Sequence, residues 1–483
     1  MNLPGVLFLL GRLLLALAAA LLVPTAVAYL HVNGTNGKAF LIAAMVAGTL
    51  GAALQRVFRD ALDEGFGRRE AFVLVTFAWI TASAFGAIPY IIIKGPTFIV
   101  DGLFESASGF TTTGASILAD IEAESPGFLL WRSLTQWLGG MGIIVLGIAV
   151  LPKLAIGGMD LLGAEAPGPT TEKLTPRIAQ TAKALWVIYA VFTAAEALAL
   201  WLAGMTVFDA VNHALTTMAT GGFSTNNASV AGFASPLIEV IITVFMVIAG
   251  ANFALHFQLF RGRPGKLLRD SEFRFFMGLL GLATVLLAGD LLLVGRPGGF
   301  LDALRLGAFQ SVTMMTTTGF ATADFHLWPH FSRALLFLLM FVGGCAGSTG
   351  GSVKVVRIMI VAKKLVVDLK RMVRPHAVLP VRVGRQAIPE DVVTSVTTFF
   401  ILFLVLFTFG GLMLAAMGMD LITAFSASAA CLGNIGPGFE LVGPTHNFGF
   451  MPAAAKVVLI LLMIIGRLEL YTMLVLFFMR FRS

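Results

Sequence analysis

The chain has 483 residues, 58% of them hydrophobic and 12% charged, with a formal net charge of +7. Soluble domains carry about 25% charged residues, so this composition, with a mean hydropathy of +0.90, excludes an ordinary soluble enzyme and leaves no stretch for a soluble catalytic domain. The basic excess is spread over particular loops and not gathered in one patch, which argues against nucleic acid as a partner and makes the lipid bilayer the expected surroundings.

From the N-terminus, apolar runs long enough to cross a hydrocarbon core of roughly 30 Å recur near residues 5–30, 38–57, 71–93, 128–151, 184–204, 236–259, 273–294, 332–362, 393–417 and 453–479. The first contains Ala26, Val27 and Ala28, a small-residue pattern of the kind cleaved in signal peptides. Its apolar stretch exceeds the about 7–15 residues of a signal core, and no Lys or Arg precedes Arg12, so it reads as a retained membrane helix. Shorter Thr/Gly-rich segments lie between the third and fourth runs, the fifth and sixth, the seventh and eighth, and the ninth and tenth. The expected fold is therefore an all-α polytopic membrane protein, with two N-terminal helices (1–68) and four helix, pore loop and helix repeats at 69–155, 183–262, 270–372 and 390–483.

Lys and Arg accumulate in cytoplasmic loops. Here they follow the second run (Arg56, Arg59, Arg68, Arg69), the fourth (Lys153, Lys173, Arg177, Lys183), the sixth (Arg261, Arg263, Lys266, Arg269) and the eighth (Lys363, Lys364, Lys370, Arg371, Arg374, Arg382, Arg385), and Arg480 and Arg482 end the chain. All these connections fall on one face. Both termini are then cytoplasmic, and the four Thr/Gly segments dip in from outside.

Those segments, FESASGFTTTGAS (104–116), NHALTTMATGGFS (212–224), FQSVTMMTTTGFA (309–321) and SASAACLGNIGPG (426–438), align without gaps. In each, a helical part is expected to end at a polar residue two before a glycine. The candidate ion-binding residues are Thr112, Thr113 and Gly114; Thr220, Gly221 and Gly222; Thr317, Thr318 and Gly319; and Asn434, Ile435 and Gly436. An extended turn at membrane depth cannot face lipid, where each unpaired backbone group costs several kcal/mol, so it must line a wet cavity. Four such turns about one axis can offer carbonyl oxygens to a dehydrated potassium ion. The glycines supply positive φ and room at the axis, and the helix C-termini favour a cation. One such turn is common in loops; four in register, each between two membrane helices, are a repeat architecture.

On these four TxG/NxG segments, and over essentially the whole chain, the sequence resembles the Trk/Ktr/HKT superfamily of potassium transporters. The two extra N-terminal helices and the length bring it nearest the bacterial TrkH branch. The resemblance implies a single-chain pseudo-tetramer of potassium-channel-like units, K⁺ as the transported ion with nothing else bound, and a bacterial inner-membrane location. It also implies a homodimer and a cytosolic RCK-type, TrkA-like nucleotide-binding regulatory subunit; no nucleotide motif occurs in the chain itself. Gly114 stands where sodium-transporting HKT relatives have serine, which favours potassium. Each repeat has one short turn in place of a TVGYG filter, so fewer ion sites and lower selectivity are expected.

Within the eighth run, GGCAGSTGGS (343–352) interrupts an apolar helix with residues that each weaken it, Gly by about 1 kcal/mol relative to Ala. Two readings stand: a hinge or close-packing stretch, or an intramembrane gate loop beneath the filter made of Gly343, Gly344, Gly347, Ser348, Thr349, Gly350 and Gly351. The resemblance favours the gate. In GRLEL (466–470) Arg467 either snorkels with Glu469 in a local ion pair or stands in the permeation path as a barrier that competes for the loop's carbonyls. Glu105, His213 and Gln310, at matching positions, either tune the outer mouth or hydrogen-bond their own loops. Asp101, Asp209, Asp302 and Asp420 are expected as N-caps of the pore helices, Glu196 and Asp290 as internally paired or near helix ends, and Cys345 and Cys431 as packing residues.

The combined expectation is a potassium uptake channel or transporter subunit, not an enzyme. Rivals are a sodium- or proton-coupled symporter on the same scaffold, weakened by the lack of a clear carboxylate relay, a membrane enzyme, for which HExxH, GxSxG and paired-Asp motifs are missing from the helices, and a purely structural subunit, which would not need four matched glycine turns.

Overall fold

The computed structural model describes residues 1–30, 36–61, 67–149, 174–295, 298–384 and 386–478. Lys153, Lys173, Arg385, Arg480 and Arg482, and the last residues assigned to the first repeat, lie outside them. Helices α1 (Leu3–Leu30) and α2 (Gly37–Val57) form an antiparallel hairpin. At their crossing a Cβ on Gly11 or Gly51 would press on the other's carbonyl oxygen, the close approach that small residues permit between membrane helices.

Repeat 1 comprises α3 (Arg68–Gly86), α4 (Ile88–Lys94), pore helix α5 (Ile99–Phe110) and α6 (Pro126–Ala149). Repeat 2 comprises α7 (Leu174–Leu202), pore helix α8 (Val207–Met218), α9 (Pro236–Gly250) and α10 (Phe253–Phe260). The short α11 (Pro264–Arg269) leads to repeat 3: α12 (Ser271–Leu293), pore helix α13 (Gly299–Met315), α14 (His330–Leu339) and α15 (Val355–Val373). A hairpin of β1 (Arg382–Val383) and β2 (Gln386–Ala387), with Arg382 opposite Ala387, precedes repeat 4: α16 (Glu390–Ala416), pore helix α17 (Leu421–Leu432), α18 (Ala453–Arg467) and α19 (Tyr471–Phe478).

Among the described residues six helical spans are long and apolar enough to cross a membrane: α1, α2, Arg69–Lys94, Gln180–Leu202, α12 and α16. The sequence led to ten spans, the eighth interrupted at 343–352, and the difference lies mainly in the second helix of repeats 2, 3 and 4, each of which is broken. The α9/α10 pair bends by 101° at Ala251 and Asn252. Residues 340–354 separate α14 from α15, and Glu469 and Leu470, with φ of 55° and 57°, separate α18 from α19. The breaks in repeats 2 and 4 escape hydropathy because the flanking residues stay apolar; the first is satisfied by the loop of repeat 3 and the second by its own turn.

Two apolar clusters show how the repeats join. One unites the N-terminal hairpin with repeats 1 and 4 through Phe40, Tyr90, Phe104, Trp131, Phe399 and Leu459. The other unites repeats 2 and 3 and reaches repeat 4 through Ile242, Phe276, Phe309, Leu336, Ile435 and Phe439. First and last repeats therefore touch.

Capping follows expectation at one site of four. Asp420 accepts from the Thr423 amide at 3.0 Å as the N-cap of α17. The N-cap of α8 is Thr206, and Asp209 in the first turn takes the hydroxyls of Thr206 and Thr225, both at 2.6 Å. Asp101 and Asp302 also lie inside the first turn, where they pair with Lys456 and Arg305. Sequence placed these carboxylates at the right helix ends but could not show that they sit inside the first turn, where Asp101 meets Lys456 of α18 and Asp302 meets Arg305 of its own helix.

Candidate functional site

All four pore helices end alike. After α5 the Thr113 amide donates to the Ser108 carbonyl (2.8 Å) and the Thr112 amide to that of Gly109 (2.9 Å). The same crossed pair recurs as Gly221 to Thr216 (2.9 Å) with Thr220 to Thr217 (2.8 Å), Thr318 to Thr313 (3.0 Å) with Thr317 to Met314 (3.2 Å), and Ile435 to Ala430 (2.8 Å) with Asn434 to Cys431 (3.3 Å). This is a Schellman ending, whose hinge residue is left-handed. The hinges are Thr112, Thr220, Thr317 and Asn434, with φ of 52°, 52°, 59° and 53°. Helical residues thus stop at Phe110, Met218, Met315 and Leu432, two positions earlier than the sequence suggested, because the polar residue is the hinge and not the last turn.

Two residues on, Gly114, Gly222, Gly319 and Gly436 are also left-handed, with φ of 83°, 74°, 82° and 103°. A Cβ on Gly114 would meet the carbonyl oxygen of Gly221, one on Gly222 that of Thr318, one on Gly319 that of Ile435, and one on Gly436 that of Thr113. Each repeat abuts the next and the fourth abuts the first. The turns form a closed ring in which every absent side chain is replaced by a neighbour's carbonyl oxygen.

The ring is braced from outside. Buried Glu105 accepts from Ser116 Oγ (3.0 Å), the Ile117 amide (3.0 Å) and Arg132 Nε (2.7 Å), while Arg132 also reaches the Ser224 carbonyl of repeat 2 (3.3 Å). His213 Nε2 meets Ser224 Oγ at 3.0 Å, and Gln310 Nε2 reaches Thr322 Oγ1 at 3.5 Å. Each pore helix thus holds its own outgoing loop, the structural one of the two readings. Where repeat 4 has Ala427, Ser426 does this instead, bonding Phe439 N (3.0 Å) and O (3.2 Å).

Sequence reasoning passed over Gln136 of α6. Its Nε2 donates to the Gly221 carbonyl (2.7 Å) and its Oε1 accepts from the Phe223 amide (3.1 Å), bracketing Gly222. Asn434 Nδ2 bridges Thr113 Oγ1 and the Met463 carbonyl, both at 2.9 Å. No local pattern marks Gln136, since its partner stands 85 residues away.

Directly beneath the ring lies the Gly/Ser loop. The Gly351 amide donates to Thr317 Oγ1 (2.6 Å), and Thr349 Oγ1 to the carbonyls of Met218 (3.1 Å) and Ala249 (3.3 Å). The loop is closed on itself by Gly343 N to Val353 O (2.8 Å), Val355 N to Gly344 O (3.1 Å) and Ser348 Oγ to Cys345 O (2.6 Å). It also fills the break in repeat 2, with Cys345 N donating to Gly250 O (2.8 Å) and Phe253 N to Gly347 O (3.1 Å). Gly347 has φ 73°, and a Cβ on Gly351 would collide with the Gly433 carbonyl of repeat 4. Glu272 Oε1 holds both ends of the loop, accepting from Ala346 N (2.7 Å) and Val356 N (3.2 Å).

Arg467 is 2% exposed and donates to the Thr349 carbonyl at 2.8 Å. It neither snorkels nor pairs with Glu469, whose partner is Arg357. Lys354 Nζ donates to the Gly350 carbonyl, a second cation on the loop backbone, to which the sequence alone assigned no role. Its signal was the spacing, four residues after Gly350. Asp290 is paired as expected, accepting from Ser332 N (3.0 Å) and Oγ (2.5 Å). Glu196 is not: it is fully buried in α7, and neither carboxyl oxygen has a hydrogen-bond partner.

A ring of four glycine turns carried on short helices inside a bundle of apolar helices, with a loop across its inner side, defines a pore-loop membrane protein. The profile of the TrkH family, described as cation transport protein, matches residues 36–296 and 297–483. The chain is 43% identical over 470 residues, 97% of its own length and 96% of the relative's, to the Trk system potassium uptake protein TrkH of Salmonella typhimurium. It is 37% identical to the Trk system potassium uptake protein TrkG of Escherichia coli over 417 residues, covering 85% of this chain and 84% of that one. The crystal structure of the potassium transporter TrkH from Vibrio parahaemolyticus superposes with a TM-score of 0.91 at 40% identity, over 99% of this chain and 98% of that one. The chain belongs to the TrkH family of cation transport proteins.

Proposed function

We propose that this chain is the membrane subunit of a potassium uptake system and conducts K⁺ down its electrochemical gradient along the axis of the four repeats. The observation that carries this reading is the closed ring of left-handed glycines, each facing a neighbour's carbonyl oxygen. Carbonyl oxygens so gathered replace an ion's hydration shell, and the pore-helix C-termini add partial negative charge. The filter consists of Thr112, Thr113, Gly114, Thr220, Gly221, Gly222, Thr317, Thr318, Gly319, Asn434, Ile435 and Gly436, with K⁺ as cargo. The names of the relatives support potassium as the ion.

The gate consists of the loop residues Gly343, Gly344, Gly347, Ser348, Thr349, Gly350 and Gly351 with Arg467. The loop obstructs the path below the filter, and the Arg467 guanidinium occupies the Thr349 carbonyl that a passing cation would use. Opening requires the loop to release Thr317 and Met218. The system is completed by a second copy of the chain and a cytosolic RCK-type subunit, TrkA-like, and lies in the bacterial inner membrane with both termini cytoplasmic.

Glu196 is the observation behind a second reading, proton-coupled transport, because it is a buried acid with no ion pair among the described residues, only the Thr217 hydroxyl beside it. Asp290 is held by Ser332, Glu239 by Arg305 and Glu469 by Arg357, so among the described residues no relay of free carboxyls leads across the protein. Purified protein in liposomes tests the main reading. Rubidium uptake should be competed by potassium and much less by sodium, and uptake indifferent to both would overturn it.

A further inference from the structure

A groove of about 740 Å³ opens between α12 and α15, away from the central ring, within the range of roughly 300–1,000 Å³ typical of small-molecule sites. Its lining is apolar at Phe275, Met359, Val366 and Val367 and cationic at Arg274, Lys363, Lys370 and Arg382, and no acidic residue lines it. Lys363 Nζ donates to the Arg382 carbonyl (2.7 Å), which holds the β1/β2 hairpin against α15.

The side chains of Arg274, Lys370 and Arg382 make no hydrogen bond or ion pair among the described residues. Nearby acids are committed elsewhere. Asp270 caps α12 through the Phe273 amide (2.8 Å), Glu272 takes the two loop amides, and Asp368 pairs with Lys364 (2.7 Å). None of these four cations is paired with a carboxylate among the described residues, and an anionic ligand completes the site.

The position selects among anions. The groove sits at the start of α12, a helix long and apolar enough to span the membrane, and in the orientation proposed above this is the cytoplasmic interface, where anionic lipid headgroups concentrate. Within the groove itself, Phe275, Met359, Val366 and Val367 form an apolar track beside the cations. A free phosphate would use the cations and leave this apolar track unused; a phospholipid uses both.

We infer that the groove binds an anionic phospholipid, its phosphate among Arg274, Lys370 and Arg382 and its acyl chains along α15. The test is native mass spectrometry of the full-length protein released from nanodiscs of phosphatidylethanolamine and phosphatidylglycerol. R274Q/K370Q/R382Q should retain about tenfold less phosphatidylglycerol relative to phosphatidylethanolamine than the native chain. The charge-preserving R274K/R382K, and R56Q/R59Q/R261Q outside the groove, should retain as much as the native chain. Equal retention by native chain and triple variant would overturn the inference. So would unchanged retention combined with loss of binding to the cytosolic regulatory subunit, which would make the groove a protein-docking surface.

Discussion

Thr112, Thr220 and Thr317 hold a left-handed conformation that costs an L-residue roughly 1–2 kcal/mol, whereas Asn434 occupies the same hinge with a residue that tolerates it. The fourth repeat's departure from Thr is therefore compatible with the shared geometry, and its amide gains a bridge from Thr113 to Met463. Glycines of equal φ need not be equal in consequence. Gly95 has φ 95° and nothing within 4 Å of a built Cβ, while Gly114, at φ 83°, faces the Gly221 oxygen. Gly95→Ala should cost only the conformational ~1–3 kcal/mol of its glycine-only backbone and keep flux selective. Gly114→Ser should displace the carbonyl ring and lose potassium preference over sodium in liposome flux; preserved selectivity would remove Gly114 from the filter. At Glu196 the neutral isostere Gln should leave uptake and its pH profile unchanged, and a loss of uptake in well-folded E196Q would favour coupled transport instead. The four-fold register was legible because each hinge and glycine sits at a fixed offset; Gln136 was not, because only the assembled ring brings it to Gly221.

At the scale of elements, the informative features are interruptions. The Gly/Ser break between α14 and α15 could be read from composition, since ten residues rich in glycine cannot continue a helix cheaply. The breaks at Ala251 and Leu468 could not, because α10 and α19 resume as apolar helix; at the first the freed backbone is satisfied by Cys345 and Gly347 of a distant loop, and at the second by a local left-handed turn. The loop is fastened to three repeats at once, so its removal and its loosening can be distinguished. Deleting Gly347–Gly350, or Arg467→Ala, should raise rubidium flux per inserted molecule without a cytosolic partner, and equal or lower flux in both well-folded variants would sink the gate. Glu272→Ala should also raise basal flux by freeing Ala346 and Val356, while Glu272→Gln, which keeps an acceptor oxygen, should stay close to the native chain. A merely structural helix would lose folded protein in E272A without gaining flux.

For the molecule as a whole, one chain must close a four-part ring, and the seam falls where sequence separation is greatest. Repeats 1 and 4 meet through Asn434 on Thr113 (2.9 Å), Phe448 N on Ser116 O (2.8 Å) and Lys456 Nζ on Asp101 Oδ1 (2.5 Å), the last pair 355 residues apart. Lys456 is 5% exposed and also donates to the Gly449 carbonyl (3.0 Å), so its charge is spent on the outgoing loop of repeat 4 as well as on α5. Removing one member of a fully buried ion pair costs about 3–5 kcal/mol, chiefly because the other charge is left unpaired. Asp101 is 29% exposed, so water relieves part of that cost and about 1–3 kcal/mol is expected here. Lys456→Met should therefore lower the melting temperature in detergent and leave the other three junctions intact. Asp101→Asn should restore part of the loss in the double variant, since the stranded carboxylate is then gone. If the pair serves only as a surface tether, the two single changes will add without coupling; if it closes the ring, the double-mutant cycle will show a coupling of at least about 1 kcal/mol, and K456M will leak sodium through a filter whose residues are untouched.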